Sequence, residues 1–564
     1  MDIKSGIRAH KWVIVVAVWC ACAVALLYAW VVCHSREGIA SLPQWFVWMA
    51  RRTGSVLYPD PLLTLRVQIS RLLVIATAIA LAAAGVVERA RLARALGELW
   101  NYESYPLNLA VFRIVVFWQI YKICDFPFIQ RLAMLPAGLQ YPPETGLLGA
   151  WARWPLHTLS PGAIGLFGVA MKYAAITAAI GLFSRTSAAV VSFVFLVAWS
   201  RLQWYGKVDH LHHLLWFALL LALSPSGDAL SVDWLIARLR KWGQQWTPLG
   251  KARRYGAPLA ISMVLMGVIY LFPGLWKICR SGLDWALSDS PRMMMQLEWK
   301  FYGDWLPAFR FDQHPLLYKT AAMGTMLFEL SFLFLLLGRR TRYVAAVLGV
   351  GFHLMTYYVL NIEFESLRDC YVVFVNWRGL VGWIEKHTLA RRVGMEAGNA
   401  VRGRGRVSVA LGVVALVLIA GNIWAGAIRA MDGWPLACYP PFDGLSEPSY
   451  RTLNIVVTLN DGSKRTIVAD DYRTTFRNRW DNLLQQILNN RNEAQRRGQL
   501  TLVWQVLATQ QNWVARAQKV QFITVRSFVD PSLWKLEPDD QQLLYEAPVE
   551  RTIGSDARAL AVPY

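Results

Sequence analysis

The chain has 564 residues, of which 55% are hydrophobic and 17% charged, whereas about 25% of residues are charged in a typical soluble protein. Its mean hydropathy is +0.32, and its 27 Trp, 21 Tyr and 24 Phe are residue types that favour membrane interfaces. Lys and Arg outnumber Asp and Glu by 58 to 37, a net charge of +21. This composition argues against a soluble fold, and the positions of the charges decide between nucleic acid, anionic lipid and cytoplasmic loops as their partners.

Apolar runs recur along the chain and predict an all-α polytopic membrane protein with about 11 transmembrane helices. The first run has no small-residue cleavage site after it, so it is predicted to be an uncleaved anchor rather than a signal peptide. The predicted spans are residues 12–33, 72–87, 106–124, 163–183, 187–201, 211–224, 257–276, 318–337, 343–361, 371–384 and 404–426.

Basic residues cluster in alternate loops, at 89–94, 238–254, 339–342 and 386–406. This positive-inside pattern predicts a cytoplasmic N-terminus. Residues 34–71 are an exception, because they should face outward and yet carry five Arg. Basic clusters dispersed between apolar spans do not form the continuous face that nucleic acid requires, so nucleic acid is excluded as a partner.

The composition becomes polar after the last apolar run, which predicts a soluble α+β domain on the non-cytoplasmic side at residues 430–564. Asn460-Asp461-Gly462-Ser463 lies between two apolar stretches and predicts a β-hairpin. The pattern also predicts helices at 473–490 and 500–517 and a strand at 520–529. Seven Cys occur without a CxxC pair, which excludes a zinc ribbon, while Cys124 and Cys438 are candidates for a disulfide at the outer surface.

Ionisable residues within or at the ends of apolar spans are costly unless they are paired or hydrated, so each is a functional candidate. The alternative is an interhelical ion pair or a side chain that reaches the interface. The predicted topology brings His210, Lys277 and His353 toward one leaflet, which favours a shared site. The six candidates are Arg113, Lys172, His210, Lys277, Glu329 and His353.

Lys277 follows an apolar run in which Pro273 and Gly274 predict a break in the helix. Burial disfavours the ammonium form, so a lysine in a dehydrated pocket can act as a base near neutral pH. Arg280 lies nearby, where it could favour the neutral amine further or bind an anionic substrate.

A second cluster, Asp209 to His213, contains three His and one Asp. On a helix His210 and His213 share a face and His212 points elsewhere, which gives two ligands where zinc needs three or four. We therefore predict no metal site, and Asp209 is placed to hold the His213 imidazole at i, i+4.

Several of these residues fall in motifs that resemble the membrane domain shared by vitamin K-dependent gamma-carboxylase and the bacterial HTTM proteins. The resemblance covers residues 110–377, about half of the chain. Asp209 stands where the family has Asn, and Trp276 replaces the first of two lysines. The matching motifs are Val111-Phe-Arg113, Gly181-Leu-Phe-Ser-Arg-Thr-Ser187, Asp209-His210 with Ser231-Val-Asp233, Gly274-Leu-Trp-Lys277, and Phe352-His-Leu-Met355 with Ile362 and Phe364.

The resemblance implies a quinol-dependent lyase or ligase in a bacterial inner membrane. In that reaction Lys277 is the base that acts on vitamin K hydroquinone or menaquinol, and His210 assists a carboxylation that uses carbon dioxide and oxygen. His353, Arg280, Arg113, Glu329 and Asp209 are the expected pocket residues. The partners implied are the lipid bilayer and a peptide or protein substrate on the non-cytoplasmic side.

The expected domains are an N-terminal transmembrane hairpin (1–105), the carboxylase-like membrane domain (106–385), a linker with the last transmembrane helix (386–429) and the soluble domain (430–564). Two other functions stay open. One is a non-enzymatic sensor or partner-binding protein in which the ionisable residues only join helices. The other is a transporter that uses Lys172 and Glu329 as a mid-membrane pair, although no inverted repeat supports it.

Overall fold

The computed structural model describes residues 3–54, 58–124, 126–141, 159–205, 211–240, 249–301, 305–387, 407–430, 434–436, 438, 442–446, 449–467, 480–508, 516–530 and 535–549. Helices dominate the part of the chain before residue 430, and an antiparallel sheet with two helices follows. The helices of the first part are α1 (Ile3–Val32), α2 (Arg36–Ala40), α3 (Gln44–Arg51), α4 (Pro61–Val87), α5 (Arg89–Trp100), α6 (Pro106–Ile123), α7 (Phe126–Ala133), α8 (Pro161–Ile180), α9 (Ser184–Ala198), α10 (His212–Ala222), α11 (Val232–Arg240), α12 (Arg253–Ser281), α13 (Asp284–Leu287), α14 (Ser290–Phe301), α15 (Pro315–Leu335), α16 (Arg339–Leu360), α17 (Glu365–Asp369), α18 (Trp377–His387) and α19 (Val409–Ala427).

Eight of these helices are long and apolar enough to cross a bilayer: α1, α4, α6, α8, α9, α12, α16 and α19. They make the chain an integral membrane protein. Helix α10 is apolar but has only 11 residues, and α15 has 21 residues but includes Lys319 and Glu329. The second span is longer than predicted, because α4 has 27 residues. To reach the predicted count of about 11, further segments would have to cross the bilayer in addition to these eight helices.

The predicted span at 371–384 is wrong as a continuous helix. It consists of a 3-10 helix, Cys370–Phe374, followed by the 11-residue α18. The segment before α18 nevertheless runs along α6 in the opposite direction. Lys122 pairs with Glu365 near the end of α6, Gln119 donates to Asp369 one turn earlier (2.5 Å), and Asn108 donates to Asn376 near the beginning of α6 (3.3 Å). Such irregular backbone is tolerated at membrane depth where protein surrounds it.

Two of the five arginines in 34–71, Arg66 and Arg71, have hydrogen-bond partners in other parts of the chain. Arg66 donates to the carboxylate of Asp284 (3.0 Å), which also accepts from the Trp30 indole (3.2 Å). Arg71 donates to the backbone carbonyl of Cys279 (2.7 Å). These bonds join the N-terminal hairpin to the end of α12, so the two arginines are not free loop charges.

The turn between α8 and α9 is fixed by Asp233 at the beginning of α11. Its carboxylate accepts hydrogen bonds from the Phe183 and Ser184 amides, both at 2.8 Å, and from the Ser184 hydroxyl at 2.7 Å. Burial opposes ionisation of Asp233, but these hydrogen bonds outweigh it and hold its pKa below the ordinary value. Gly181 adopts φ +71°, the left-handed conformation that favours glycine at a helix end.

The part of the chain from residue 430 onward, called the tail below, contains an antiparallel sheet in the order β2-β1-β3-β4. Its strands are β1 (Ser449–Leu459), β2 (Lys464–Ile467), β3 (Ala517–Asp530) and β4 (Lys535–Pro548). Helices α20 (Trp480–Asn489) and α21 (Glu493–Ala508) lie between β2 and β3. The predicted hairpin and third strand are confirmed, while the second predicted helix begins seven residues too late and β4 was not predicted. Residues 473–479 and 509–515 of the predicted helices lie outside the described residues.

The predicted disulfide between Cys124 and Cys438 is absent, and both residues are free thiols. The Cys124 thiol donates to the carbonyl of Ile120 (3.0 Å).

Candidate functional site

An apolar cavity of about 170 Å³ lies beside the second half of α12. Its size is similar to that of a cavity of about 150 Å³ that binds benzene, so it has room for an aromatic ring system. Its walls come from α10, α12, α13, α14, α15 and α16 and from the segments that follow α16 and α19. The lining residues include His213, Ile269, Tyr270, Pro273, Lys277, Trp285, Met294, Met295, Ala321, Thr325, Glu329, Phe352, His353, Met355, Thr356 and Phe442.

Two opposite charges lie in this apolar wall. The Nζ of Lys277 donates to both carboxylate oxygens of Glu329, at 2.6 and 2.7 Å, and the two side chains are 4% and 5% exposed. Lys277 Nζ also lies 4.9 Å from the centre of the Trp285 ring, within the range of a cation–π contact. Lys277 is therefore buried in protein rather than in contact with lipid. The charged neighbour of Lys277 is thus the Glu329 carboxylate, whereas the sequence suggested the cationic Arg280.

The close approach of α12 and α15 depends on Gly274. A Cβ at this position would lie 2.9 Å from the Cβ of Glu329 and 3.2 Å from Leu330. The predicted helix break at Pro273 and Gly274 is wrong, because α12 continues to Ser281. Pro273 only removes one N–H, the donor that would reach the carbonyl of Ile269. The unbroken helix brings Lys277 and Tyr270 to the same cavity, about two turns apart.

His353 lines the cavity from α16 and is 3% exposed. Its Nε2 lies 2.7 Å from the hydroxyl of Tyr270, which accepts a hydrogen bond from the hydroxyl of Tyr371 at 2.9 Å. Within the described residues, the other ring nitrogen, Nδ1, has no hydrogen-bond partner. Gly349 leaves room for Tyr371, since a Cβ there would lie 1.9 Å from its hydroxyl oxygen.

The segment after the last span closes one end of the cavity. Phe442 contributes to the lining, and its backbone carbonyl accepts from the Trp285 indole. The next residue, Asp443, is bound through its carbonyl to the Ser281 hydroxyl (2.7 Å) and through its carboxylate to Arg429 (2.7 Å). Phe442 has φ +59°, an uncommon conformation for a residue with a side chain. The tail is thus connected directly to the cavity.

The cavity also reaches the outer surface of the helix bundle between α15 and α16. Ala321 of α15 and Met355 of α16 line the cavity, and both are exposed, Met355 by 44%. A Cβ at Gly324, beside this gap, would meet no atom within 4 Å. A molecule dissolved in the bilayer could approach the cavity here without passing through water.

Three of the predicted site residues, Lys277, Glu329 and His353, meet in this cavity. Two do not. Arg280, one turn beyond Lys277 on α12, does not line the cavity; its side chain is 43% exposed and its guanidinium lies 3.9 Å from the carboxylate of Asp443. The remaining two, Asp209 and His210, lie outside the described residues.

Arg113 is wrongly predicted as a pocket residue, because it is fully buried elsewhere. Its guanidinium donates to the backbone carbonyls of Ser226 (2.6 Å), Ala229 (3.3 Å), Ala179 (3.3 Å) and Leu230 (2.5 Å). These carbonyls follow α10 or end α8, so Arg113 joins two turns of the backbone.

The suggested pair of Lys172 and Glu329 is also wrong. Lys172 is exposed on α8 and lies 5.6 Å from the centre of the Tyr121 ring, whereas Glu329 is bound to Lys277. Of the His cluster, His212 and His213 are buried at the beginning of α10, and His213 lines the cavity. The described residues contain no group of three or more His, Cys, Asp or Glu placed to hold a metal ion.

Tyr270, Tyr371, Trp285 and Phe442 belong to the site but were not predicted. Tyr270 and Tyr371 are single polar groups in apolar sequence, and that is the signal that could have found them, since a buried tyrosine hydroxyl usually requires a partner. Phe442 lies far from the other residues in sequence and carries no local signal.

The fold and the cavity define a polytopic helical membrane protein with a buried ion pair beside an apolar pocket. Residues 108–374 match the family model of the HTTM domain. The chain therefore contains an HTTM domain, as the motifs predicted, and all the cavity residues named above except Phe442 belong to it. No curated protein and no solved structure matches the chain.

Proposed function

We propose that the protein is a membrane-embedded enzyme of the carboxylase-like class, in which Lys277 acts as a base on a reduced quinone. The observation that carries the proposal is the buried pair of Lys277 and Glu329 in the wall of an aromatic-sized apolar cavity. The HTTM domain match supports a relation to the vitamin K-dependent carboxylase family.

A quinone ring suits the lining of this cavity. Its volume of about 170 Å³ is that of an aromatic ring system, and the gap near Ala321 and Met355 suits a ligand that arrives from the bilayer. His353 contributes a ring nitrogen that has no hydrogen-bond partner in the described part of the chain, and Lys277 contributes a nitrogen at the same cavity. When bound, a reduced quinone such as menaquinol supplies a hydroxyl proton that a base can remove.

Glu329 gives Lys277 a way to become that base. A buried carboxylate and ammonium each cost several kcal/mol of desolvation, which reduces the advantage of the charged pair over the neutral one. Transfer of one proton from Nζ to the carboxylate over 2.6 Å yields a neutral amine without any exchange with water. The amine can then take a proton from a bound hydroxyl, and its new positive charge lies over the Trp285 ring.

Replacing Lys277 by Met should abolish turnover of menaquinol by the purified protein in lipid nanodiscs. Lys277→Arg should also fail, because guanidinium does not give up its proton in proteins. The matched control is Lys172→Met, since Lys172 is exposed and lies outside the cavity. Turnover is measured as quinol oxidation and as incorporation of labelled bicarbonate, after mass spectrometry has identified any quinone that co-purifies.

A second candidate function rests on the same ion pair. If Lys277 and Glu329 serve only to join α12 to α15, the protein is a non-enzymatic membrane protein that binds a lipophilic ligand or a partner. In that case the double variant Lys277→Met, Glu329→Gln, which leaves no buried charge without its partner, binds quinone normally, and the wild-type protein shows no turnover with any quinol tested.

We propose further that the N-terminus is cytoplasmic and the tail lies outside. The proposal takes α10, α15 and the segment along α6 as crossings beside the eight apolar helices, which makes 11, an odd number. Residues 442–446 are bound to the end of α12 through Ser281, and Arg66 near the beginning of α4 is bound to Asp284, three residues beyond the end of α12. Both connections lie at the end of the bundle opposite the beginning of α12. The tail would therefore lie on the other side of the membrane from the basic loop that precedes α12.

Labelling of introduced cysteines tests this topology. An impermeant maleimide added to intact cells should modify a cysteine at Ser463, in the exposed turn of the hairpin, and should not modify one at Gln244. Ser463 is exposed, so lack of access cannot explain a negative result at that position. Modification at Gln244 without modification at Ser463 would reverse the orientation.

A further inference from the structure

A chain of hydrogen bonds fixes how His353 faces the cavity. Tyr371 donates its hydroxyl proton to the oxygen of Tyr270 (2.9 Å), and the Tyr270 hydroxyl lies 2.7 Å from Nε2 of His353. A tyrosine hydroxyl has one proton, and because the oxygen of Tyr270 already accepts from Tyr371, its own proton is available for Nε2. A neutral imidazole that accepts at Nε2 carries its proton on Nδ1.

The Nδ1–H that results has no partner among the described residues, although the side chain is only 3% exposed. A buried donor without an acceptor destabilises the protein. Aromatic rings pack against the imidazole, with the ring centres of Phe352 and Phe364 at 5.3 and 5.6 Å, and the polar groups of the cavity lining include His213 and Thr356. A cavity that leaves one N–H unpaired in such surroundings is suited to a ligand that brings an acceptor to it.

We propose that His353 is the residue that recognises an oxygen acceptor on the ligand, through Nδ1–H, and that Tyr270 and Tyr371 are positioning residues that hold it in this tautomer. The ligand class is an aromatic or polyprenyl compound with a carbonyl or phenolic oxygen on its ring. This inference deepens the proposed function and rests on it for the ring-sized ligand, but it does not depend on the chemistry of Lys277.

Two probes of the same ring system separate recognition of oxygen from recognition of the ring. Menadione carries two ring carbonyls, and 2-methylnaphthalene has the same rings and methyl group without oxygen. The wild-type protein in nanodiscs should bind menadione about tenfold more tightly than 2-methylnaphthalene, the effect of one hydrogen bond. The infrared carbonyl stretch of one menadione carbonyl, assigned by ¹³C labelling, should move to lower frequency on binding.

Two variants of His353 distinguish its nitrogens. The amide nitrogen of Asn lies as far from Cβ as Nδ1, and that of Gln as far as Nε2. His353→Asn should therefore keep much of the preference for menadione and of the infrared shift. His353→Gln should lose both while its binding of 2-methylnaphthalene is unchanged.

Tyr270→Phe removes the hydroxyl that donates to Nε2 of His353, so the imidazole is no longer held in one tautomer. We expect the carbonyl band of bound menadione to split or return toward its free frequency, with a several-fold loss of the preference for menadione. Tyr371→Phe should have the same effect in weaker form, because it acts through Tyr270. A purely packing role for these tyrosines would weaken both probes equally and leave the band unmoved.

The outcomes separate this inference from the proposed function. Equal affinity of the wild-type protein for the two probes, or a menadione preference that survives in His353→Gln, overturns the role of Nδ1 and leaves the quinol chemistry of Lys277 standing. Failure of the wild-type protein to bind either probe overturns the ring-sized ligand and the proposed function with it.

Discussion

Lys277→Met should lower the stability of the protein by about 3–5 kcal/mol, because it leaves the carboxylate of Glu329 buried without its partner. The two charges are within 2.7 Å of each other and almost inaccessible, so removal of the ammonium leaves the carboxylate in largely apolar surroundings. Adding Glu329→Gln to the same chain should restore most of the loss, since the remaining groups are then uncharged. Thermal unfolding of the four proteins in one detergent gives the double-mutant cycle.

The cycle also distinguishes structure from chemistry. If the pair only holds α12 against α15, the double variant recovers both stability and any ligand-dependent activity. If Lys277 is the base, the double variant recovers stability and stays inactive. A single Lys277→Met variant as stable as the wild type would contradict the burial and the bidentate bonding of the pair. Lys172→Met again supplies the matched control, with no expected change because that lysine is exposed.

Much of the membrane domain was predictable because bilayer thickness and positive-inside charge act on contiguous sequence. Runs of about 20 apolar residues specify spans such as α8 and α19 directly. The segment along α6 was predictable as a hydrophobic run but not as a 3-10 helix. Its course along α6 depends on partners from that helix, namely Gln119 for Asp369 and Asn108 for Asn376. Those contacts connect residues about 250 positions apart.

The candidate site shows the same division. Lys277, Glu329 and His353 were predictable individually, because an ionisable side chain in an apolar run must have a reason to be there. Which of these residues meet was not predictable, because the sequence allows Glu329 to pair with Lys172 as readily as with Lys277. The choice is made by Gly274, whose missing side chain lets α15 approach α12 next to Lys277. Strand β4 was missed for a local reason, because Pro538, Asp539 and Asp540 are unfavourable in strands and are tolerated at a sheet edge.

Arg113→Met should lower stability by more than about 4 kcal/mol and prevent the accumulation of folded protein. The guanidinium is fully buried and donates to four backbone carbonyls, all of which would lose a donor in a place that water does not reach. Arg113→Lys should recover only part of this loss, because an ammonium cannot reproduce the planar fork of a guanidinium.

Arg185→Met is the matched control, since Arg185 lies in the adjoining turn but is exposed and makes one weaker bond to the carbonyl of Ser224 (3.3 Å). Its effect on thermal unfolding should stay within about 1 kcal/mol. The measurement is the yield of monodisperse protein after detergent extraction, followed by thermal unfolding of whatever is recovered. If Arg113 instead belonged to a ligand pocket, Arg113→Met would fold with near wild-type stability and lose only binding. A stable Arg113→Met protein would therefore show that the carbonyls of the α10–α11 connection find other donors.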